Sequence, residues 1–539
     1  MRSAKLDRML FPRLPRSFRY VVLALAAGLA PLPLVAQSLG GGRVVMVLPF
    51  ENRSGDVSLN WVGDSFPDTL DKRLNSSGFL TISHDDRVFA LEHLGLPANF
   101  RPSRATTLRI AQQVDANFVV IGSFTLGNGK LQIQSQVLSV DALKLSPPVQ
   151  DSADLNRLFD AENAIAWKVA RAIDPTLNVA EQTFLASPGG VPLPAFENYI
   201  RGTNAPTAAE RIKRLQAAVN LQPNYAAALL ALGKEQYNAK DYAGAAVTLA
   251  KVPQSDPLAL EGGFYLGLAR FNSNNYAGAQ AAFDFTASKL PLPEVLNDEA
   301  VSLSRQNKDA VQLFKKAVAA DPNNEDYHYN LAIALFRRGD LPGALQETDA
   351  ALKLKANDND ASQLRALIAA APAGSHLSDT DNASFTPVER IIRTYSEASF
   401  RQAAFQLAQL RDARLAMLPP QQRAAEYVSA GLEFVSEGLL PEAEQQFQSA
   451  LAANPSSAEA HAGLARVREL SSNPHDARTE AQKSLNLKPN VDALLVLARI
   501  DLAQNNVPAA VSDVDHALKL EPKNPRVLAM QMSLTRPKP

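Results

Sequence analysis

Most of the chain carries apolar residues at helical spacing with short polar breaks, whereas a shorter N-terminal stretch alternates apolar and polar residues one by one. The helical pattern repeats. Leu232-Gly233, Tyr242, Ala245 and Pro257 recur as Leu266-Gly267, Tyr276, Ala279 and Pro291, each 34 residues later (266 − 232, 276 − 242, 291 − 257). A fixed period of roughly 20–50 residues marks stacked supersecondary units, none of which can bury its apolar face alone. Each unit reads as helix A, a tight turn, helix B and a proline stop, because proline cannot continue a helix without losing a backbone bond. Gly233 and Ala245, then Gly267 and Ala279, predict where helices A and B cross with close axes. Leu232 with Leu249, and Leu266 with Phe283, supply the apolar stripe. Asp241 and Asn275 predict caps for helix B.

The period and residue types resemble the tetratricopeptide repeat (TPR). On that resemblance, a short helical pair over Ala195 to Pro223 precedes repeats at 226–257, 260–291, 292–322 (shortened) and 325–356, with Ser362 to Ala371 as an orphan helix A. Thr386-Pro387-Val388-Glu389 has the form of a capping box with proline at the first helical position, so it predicts a helix restart and a degenerate pair over 387–418. Repeats resume at 424–455, 458–489 and 491–522, and Arg526 to Leu534 predicts a terminal helix covering the last apolar face. The expected arrays are residues 195–371 and 387–539, joined by a linker at 372–386.

Residues 43–175 read as α/β. Val44 to Phe50 predicts a buried strand, and Val62, Phe66, Leu70 and Leu74 a helix that starts or kinks at Pro67. Short strand Phe79 to Ser83, helix Thr107 to Val114 and strand Phe118 to Thr125 follow, and Gly127-Asn128-Gly129 predicts a hairpin. Beyond it, Leu131, Ile133 and Val137 alternate with Gln132, Gln134 and Gln136, the mark of a sheet with one wet face. Leu158 to Ile173 closes the stretch as an amphipathic helix. Val47-Leu48-Pro49-Phe50-Glu51-Asn52, Phe118-Val119-Val120-Ile121-Gly122-Ser123, Asp141-Ala142 and Leu158-Phe159-Asp160-Ala161-Glu162 fall in the order of landmarks in the TolB-like N-terminal domain, which this stretch resembles. It departs at Leu143-Lys144, where that family has a Thr-Gly turn. The resemblance implies a non-catalytic module that docks other proteins. The expected fold class is therefore multidomain: an N-terminal α/β domain of TolB-like fold, a connector at 176–194, then an all-α TPR superhelix in two arrays.

Residues 1–38 carry a basic start (Arg2, Lys5, Arg8, Arg13, Arg16, Arg19), an apolar run from Val21 to Ala36 and a small-residue site at Ala36-Gln37-Ser38, the pattern of an export signal or, if uncleaved, an N-terminal anchor. Localisation is expected to be periplasmic or cell-envelope. The net charge of −1 speaks against a nucleic-acid footprint. The absence of cysteine removes disulfides and thiol chemistry, and seven scattered histidines leave little for a metal site. Ser83-His84-Asp85-Asp86 fits better with Asp85 as a helix cap than with metal ligation. Asp64, Asp68 and Asp71 lie at offsets that share a helix face, as a carboxylate patch or a solvated surface. No phosphate-binding loop or nucleophile-elbow pattern occurs. No catalytic, cofactor or metal residues are expected.

In the TPR family the A helices line a concave surface, and the resemblance places Lys234, Tyr237, Asn238, Phe264, Phe271, Asn272, Tyr329, Phe336, Arg337, Arg466 and Arg499 on it. Such side chains suit an extended peptide, with Arg466 and Arg499 placed to share a carboxylate. The other reading is that Phe264, Phe271 and Phe336 pack between repeats, which is how most helical aromatics are used. The reading that follows is an exported, non-enzymatic adaptor for protein or peptide partners. A regulatory sensor is the alternative, since TolB-like–TPR pairs resemble the C-terminal halves of bacterial cyclases and transcription regulators; no such segment precedes Arg43. An enzyme with an unrecognised site is the third reading.

Overall fold

The computed structural model describes residues 43–96, 104–186, 190–380, 385–393, 410–411 and 413–535. The expected export segment at 1–38 lies outside them. Among the described residues no helix is long and apolar enough to cross a membrane. The chain divides into two compact units, one containing Ala205–Phe405 and the other combining Ser38–Asn204 with Gln406–Pro539.

The second unit begins with a mixed sheet of β1 (Val44–Val47), β2 (Glu51–Asn52), β3 (Leu80–Thr81), β4 (Phe118–Gly127), β5 (Lys130–Ser139), β6 (Lys144–Leu145) and β7 (Val149–Asp154). β1 pairs in parallel with β3 and β4, while β5 pairs antiparallel with β4, β6 and β7. Asn128 and Gly129 form the expected hairpin turn at φ of 53° and 76°, the two left-handed residues that match strand twist. Helices α1 (Asn60–Asn75) and α4 (Leu158–Ile173) pack on one another. α2 (His84–His93) and α3 (Arg104–Gln113) share a core cluster with Met46, Val119 and Leu138. The cap of α2 is Ser83, which accepts from the Asp86 amide at 3.0 Å, and not Asp85 as the sequence suggested.

Pro67 neither starts nor breaks α1; the helix runs through it. Proline has no N–H for the carbonyl four residues back. That carbonyl belongs to Gly63, and it accepts instead from the Phe50 amide at 3.0 Å. A Cβ on Gly63 would collide with the Phe50 carbonyl, so glycine is what lets the strand approach the helix here. Behind this contact lies fully buried Glu162 of α4. Burial pushes its carboxyl up to about 8. Ser65 Oγ meets both the Val62 carbonyl, at 2.8 Å, and Glu162 Oε1, yet has a single hydrogen to give. A proton kept on Glu162 supplies the second bond.

α5 (Glu181–Leu185) and α6 (Leu193–Thr203) complete this half of the unit. α6 does not open the first array as expected. Its Tyr199 hydroxyl donates to Asp68 at 2.9 Å and its Arg201 guanidinium to the Ser58 carbonyl at 2.7 Å, which ties it to α1 and the turn before it.

The first unit contains α7 (Ala208–Leu221), α8 (Ala226–Asn238), α9 (Tyr242–Leu249), α10 (Ala259–Asn272), α11 (Tyr276–Lys289), α12 (Pro293–Ser304), α13 (Val311–Ala320), α14 (Glu325–Arg337), α15 (Leu341–Leu354) and α16 (Asn359–Ala370). From α8 onward the order is helix A, helix B. Asp241 and Asn275 cap α9 and α11 as expected, accepting from the Gly244 and Gly278 amides at 3.0 Å. A Cβ on Gly267 would stand 2.5 Å from the Phe283 ring, so the small residue does mark the A–B crossing. Each A–B turn carries a left-handed residue, among them Lys240, Asn274, Asn307 and Gly339.

The C-terminal helices of the second unit, α17 (Pro420–Glu437), α18 (Leu440–Ala453), α19 (Ala458–Leu470), α20 (Pro474–Leu487), α21 (Val491–Ala503), α22 (Val507–Leu520) and α23 (Pro525–Thr535), follow the same plan. Phe447 sits between Gly431 and Gly463 of successive A helices. Part of the expected connector docks here. The Ala180 amide donates to Glu444 at 3.1 Å, and Arg468 donates to both Glu444 oxygens at 2.6 and 2.7 Å and to Thr183 at 2.7 Å.

Candidate functional site

The A helices α12 and α14 bring Asn297 beside Asn330 and Ser304 beside Arg337, each pair 33 residues apart. Across them runs residues 385–393, extended and not helical. This corrects the expected helix restart at Thr386. The capping box is a local signal; its Glu389 is drawn instead into a buried tertiary ion pair, and the Arg390 main chain is bound by side chains. The Arg390 amide donates to Asn330 Oδ1 at 2.7 Å, and its carbonyl accepts from Asn330 Nδ2 at 2.7 Å and Asn297 Nδ2 at 3.1 Å. The Ile392 amide donates to Asp298 Oδ1 at 2.8 Å. Asp298 is fully buried, and burial raises its carboxyl well above the ordinary range.

The side chains of the segment are held as firmly. Glu389 has no exposed side-chain area; it pairs with Arg337, accepts from Ser304 and lies 3.5 Å from Arg305. The Arg390 guanidinium donates to Asp326 at 2.7 Å and to both oxygens of Asp358 at 2.7 and 2.8 Å. It lies 4.0 Å over the Tyr329 ring, a cation–π geometry. The Arg390 bonds hold the Asp358 carboxyl down at about 2. Ile391 packs on the cluster that contains Phe264 and Val295, and Ile392 on that of Leu296, Ala317 and Tyr327.

Of the sequence-named residues, Tyr329 and Arg337 meet at this segment. Phe264 and Phe336 do not line the surface: both are wholly buried core residues, since their places on helix A face helix B of the same or the next unit. Phe271 is partly buried edge-on to Tyr276, with ring centroids 5.2 Å apart. Lys234 pairs with Glu261 at 2.8 Å, and Asn272 caps its own helix through the Leu268 carbonyl at 2.8 Å. Tyr237 has its phenol raised by burial, and Asn238 is exposed at the end of α8. Arg499 does hold a carboxylate with Arg466, but it is the chain's own Glu469. Arg499 reaches both oxygens at 2.6 and 2.8 Å, and Arg466 one at 2.9 Å.

Sequence reasoning missed Asn297, Asn330, Asp298, Asp326 and Asp358. The available signal was the recurrence of asparagine at one place in successive repeats, 33 residues apart. Asp64, Asp68 and Asp71 do not act together. Asp64 lines a cleft of about 840 Å³ with Asn52 and Arg87, where burial raises its carboxyl to about 6. Asp68 pairs with Lys72 at 2.7 Å.

A family model described as Tetratricopeptide repeat matches residues 303–368, and a second of the same description matches residues 428–492. Both stretches are tetratricopeptide repeats. The first runs from the end of α12 through α13, α14 and α15 to nearly the end of α16, hence Tyr329, Asn330 and Arg337; the second runs from within α17 through α18, α19 and α20 to the first residues of α21, hence Glu444 and Arg468. No curated protein matches the chain. Solved structures similar to parts of it include MamA from Desulfovibrio magneticus, 17% identical over 32% of this chain and 99% of that one, TM-score 0.29. The LpoB C-terminal domain from Escherichia coli is 22% identical over 22% of this chain and 89% of its own, TM-score 0.19. A tetratricopeptide repeat protein from Parabacteroides merdae is 12% identical over 57% of this chain and 98% of its own, TM-score 0.25.

Proposed function

We propose that the chain is an exported, non-enzymatic adaptor of the bacterial cell envelope whose first repeat array takes an extended segment of a protein partner. Tetratricopeptide repeats are protein-interaction scaffolds, and stacked helix pairs present long surfaces for that purpose. One observation carries the finer reading: Asn330 exchanges two hydrogen bonds with the main chain of a single residue, recognition that any extended peptide offers. The export assignment is supported by the basic-then-apolar sequence of residues 1–38, and a docking role for residues 43–175 by their TolB-like landmarks.

Two experiments test this. A periplasm-only reporter fused after Gly42 is expected to be active; activity of a cytoplasm-only reporter instead would end the export assignment. Native co-purification is expected to recover a protein with the wild type and to lose it with Asn330→Ala, the melting temperature of both being measured so that lost binding is told apart from unfolding. Full retention by that variant would place partner binding elsewhere.

A further inference from the structure

The groove on the first array does more than accept a main chain. The segment has no helix or turn of its own over 385–393, and four successive side chains each meet different surroundings. Glu389 enters a cationic pocket formed by Arg337 and Arg305, and Arg390 an anionic one formed by Asp326 and Asp358. Ile391 and Ile392 enter two separate apolar clusters. Val388, just before them, is 52% exposed. The segment's amides and carbonyls are met by Asn330, Asn297 and Asp298 side chains, the way a bound peptide is met rather than a sheet strand.

We propose that Glu389–Ile392 is a resident pseudo-ligand occupying the first array's peptide groove, and that the partner this groove accepts is a protein segment presenting Glu-Arg followed by two branched aliphatic residues in extended form. The inference rests on the adaptor reading above and names its ligand. The order Glu-Arg is selected because reversing it sets a carboxylate against Asp326 and Asp358 and a cation against Arg337 and Arg305, and like charges at such contacts repel. The covalent link presents the segment at an effective concentration on the order of millimolar, so an external peptide with the same contacts binds only weakly until the segment is displaced. A partner succeeds by bringing contacts beyond these four residues.

The test is a fluorescence-anisotropy titration of a labelled nonapeptide with the sequence of residues 385–393 against the full chain. Wild type is expected to bind it weakly. The double variant Glu389→Lys, Arg390→Glu, which expels the segment, is expected to bind at least about tenfold more tightly. A peptide with Glu and Arg exchanged is expected to lose that binding. Glu389→Gln keeps shape and the Ser304 bond, and is expected to gain affinity about two- to fivefold; should the double variant fail to fold, absence of that gain overturns the proposal. Equal affinity for wild type and double variant also overturns it, as does no binding to a double variant that melts like wild type, since the segment would then be a structural strap. Concentration-dependent dimerisation of the wild type, abolished in the double variant, would assign the groove to a second copy and overturn the external partner. The adaptor reading fails separately, through partner retention by Asn330→Ala.

Discussion

The two repeat arrays share one construction and use their A helices differently. Both place glycine where an aromatic ring crosses: Gly267 under Phe283 in the first, Gly431 and Gly463 around Phe447 in the second. Both join helix A to helix B with a histidine–glutamate pair, His328 to Glu347 and His461 to Glu480, each at 2.6 Å. In the first array, however, A-helix side chains hold the chain's own segment 385–393, Arg337 through Glu389 and Asn330 through the Arg390 main chain. In the second, Arg466 and Arg499 share the single carboxylate of Glu469 of the same array. A repeat fixes where side chains project. What such a position meets depends on where its counter-charge lies, in a separate segment for Arg337 and on a neighbouring helix of the array for Arg499.

The largest expected effect contrasts two buried carboxylates. Glu444 and Glu389 both have fully buried side chains and arginine partners. Glu444→Ala takes the carboxylate from Arg468, which keeps its bond to Thr183, inside a packed helix pair, and is expected to cost about 3–5 kcal/mol. Glu389→Ala is expected to cost less, because an extended segment can leave and let Arg337 rehydrate. Urea denaturation of both variants decides; equal losses would mean that residues 385–393 are as integral as α18.

Next come the crossings. Gly267→Ala and Gly463→Ala each force a Cβ into an aromatic ring, and overpacking of this kind typically costs about 1–3 kcal/mol. Similar losses in melting temperature are expected in both arrays. A tolerant Gly463 would show that the second array repacks where the first cannot.

The smallest effect is the pH response of His328. Its hydrogen bond to Glu347 raises its folded-state pKa above the usual 6.5. Stability from this pair is therefore present below about 6.5 and is lost as pH rises through the folded value. Melting of the wild type between pH 6 and 9 should decline more than that of His328→Gln; parallel declines would remove the histidine from the account.

The helix pairs were legible because their determinants are local. Asp241 and Asn275 cap from one residue before the helix, and glycine, alanine and proline return with the period. The left-handed turn residue was not legible, since Lys240, Asn274, Asn307 and Gly339 share a conformation but no chemistry. The peptide segment was misread for a more general reason. Thr386-Pro387-Val388-Glu389 satisfies a helix-start rule within four residues, whereas the groups that fix its extended form, Arg337, Asn330 and Asp358, lie about 30–60 residues away in the chain. Phe264 and Phe336 were drawn to the surface by a positional rule and returned to the core by their bulk. Glu162 stood inside a recognised landmark, yet nothing beside it in sequence announces Ser65 and Thr69.

That glutamate has a thermodynamic consequence. With its carboxyl pushed up to about 8, Glu162 is mainly protonated at neutral pH once the sheet and α1 have closed over it, whereas in the open chain it is ionised. Closing the domain at pH 7 therefore draws close to one hydrogen ion per molecule from the buffer at this site. Acidifying surroundings favour closure and alkaline ones oppose it, and the heat of unfolding carries a contribution from whichever buffer receives the ion.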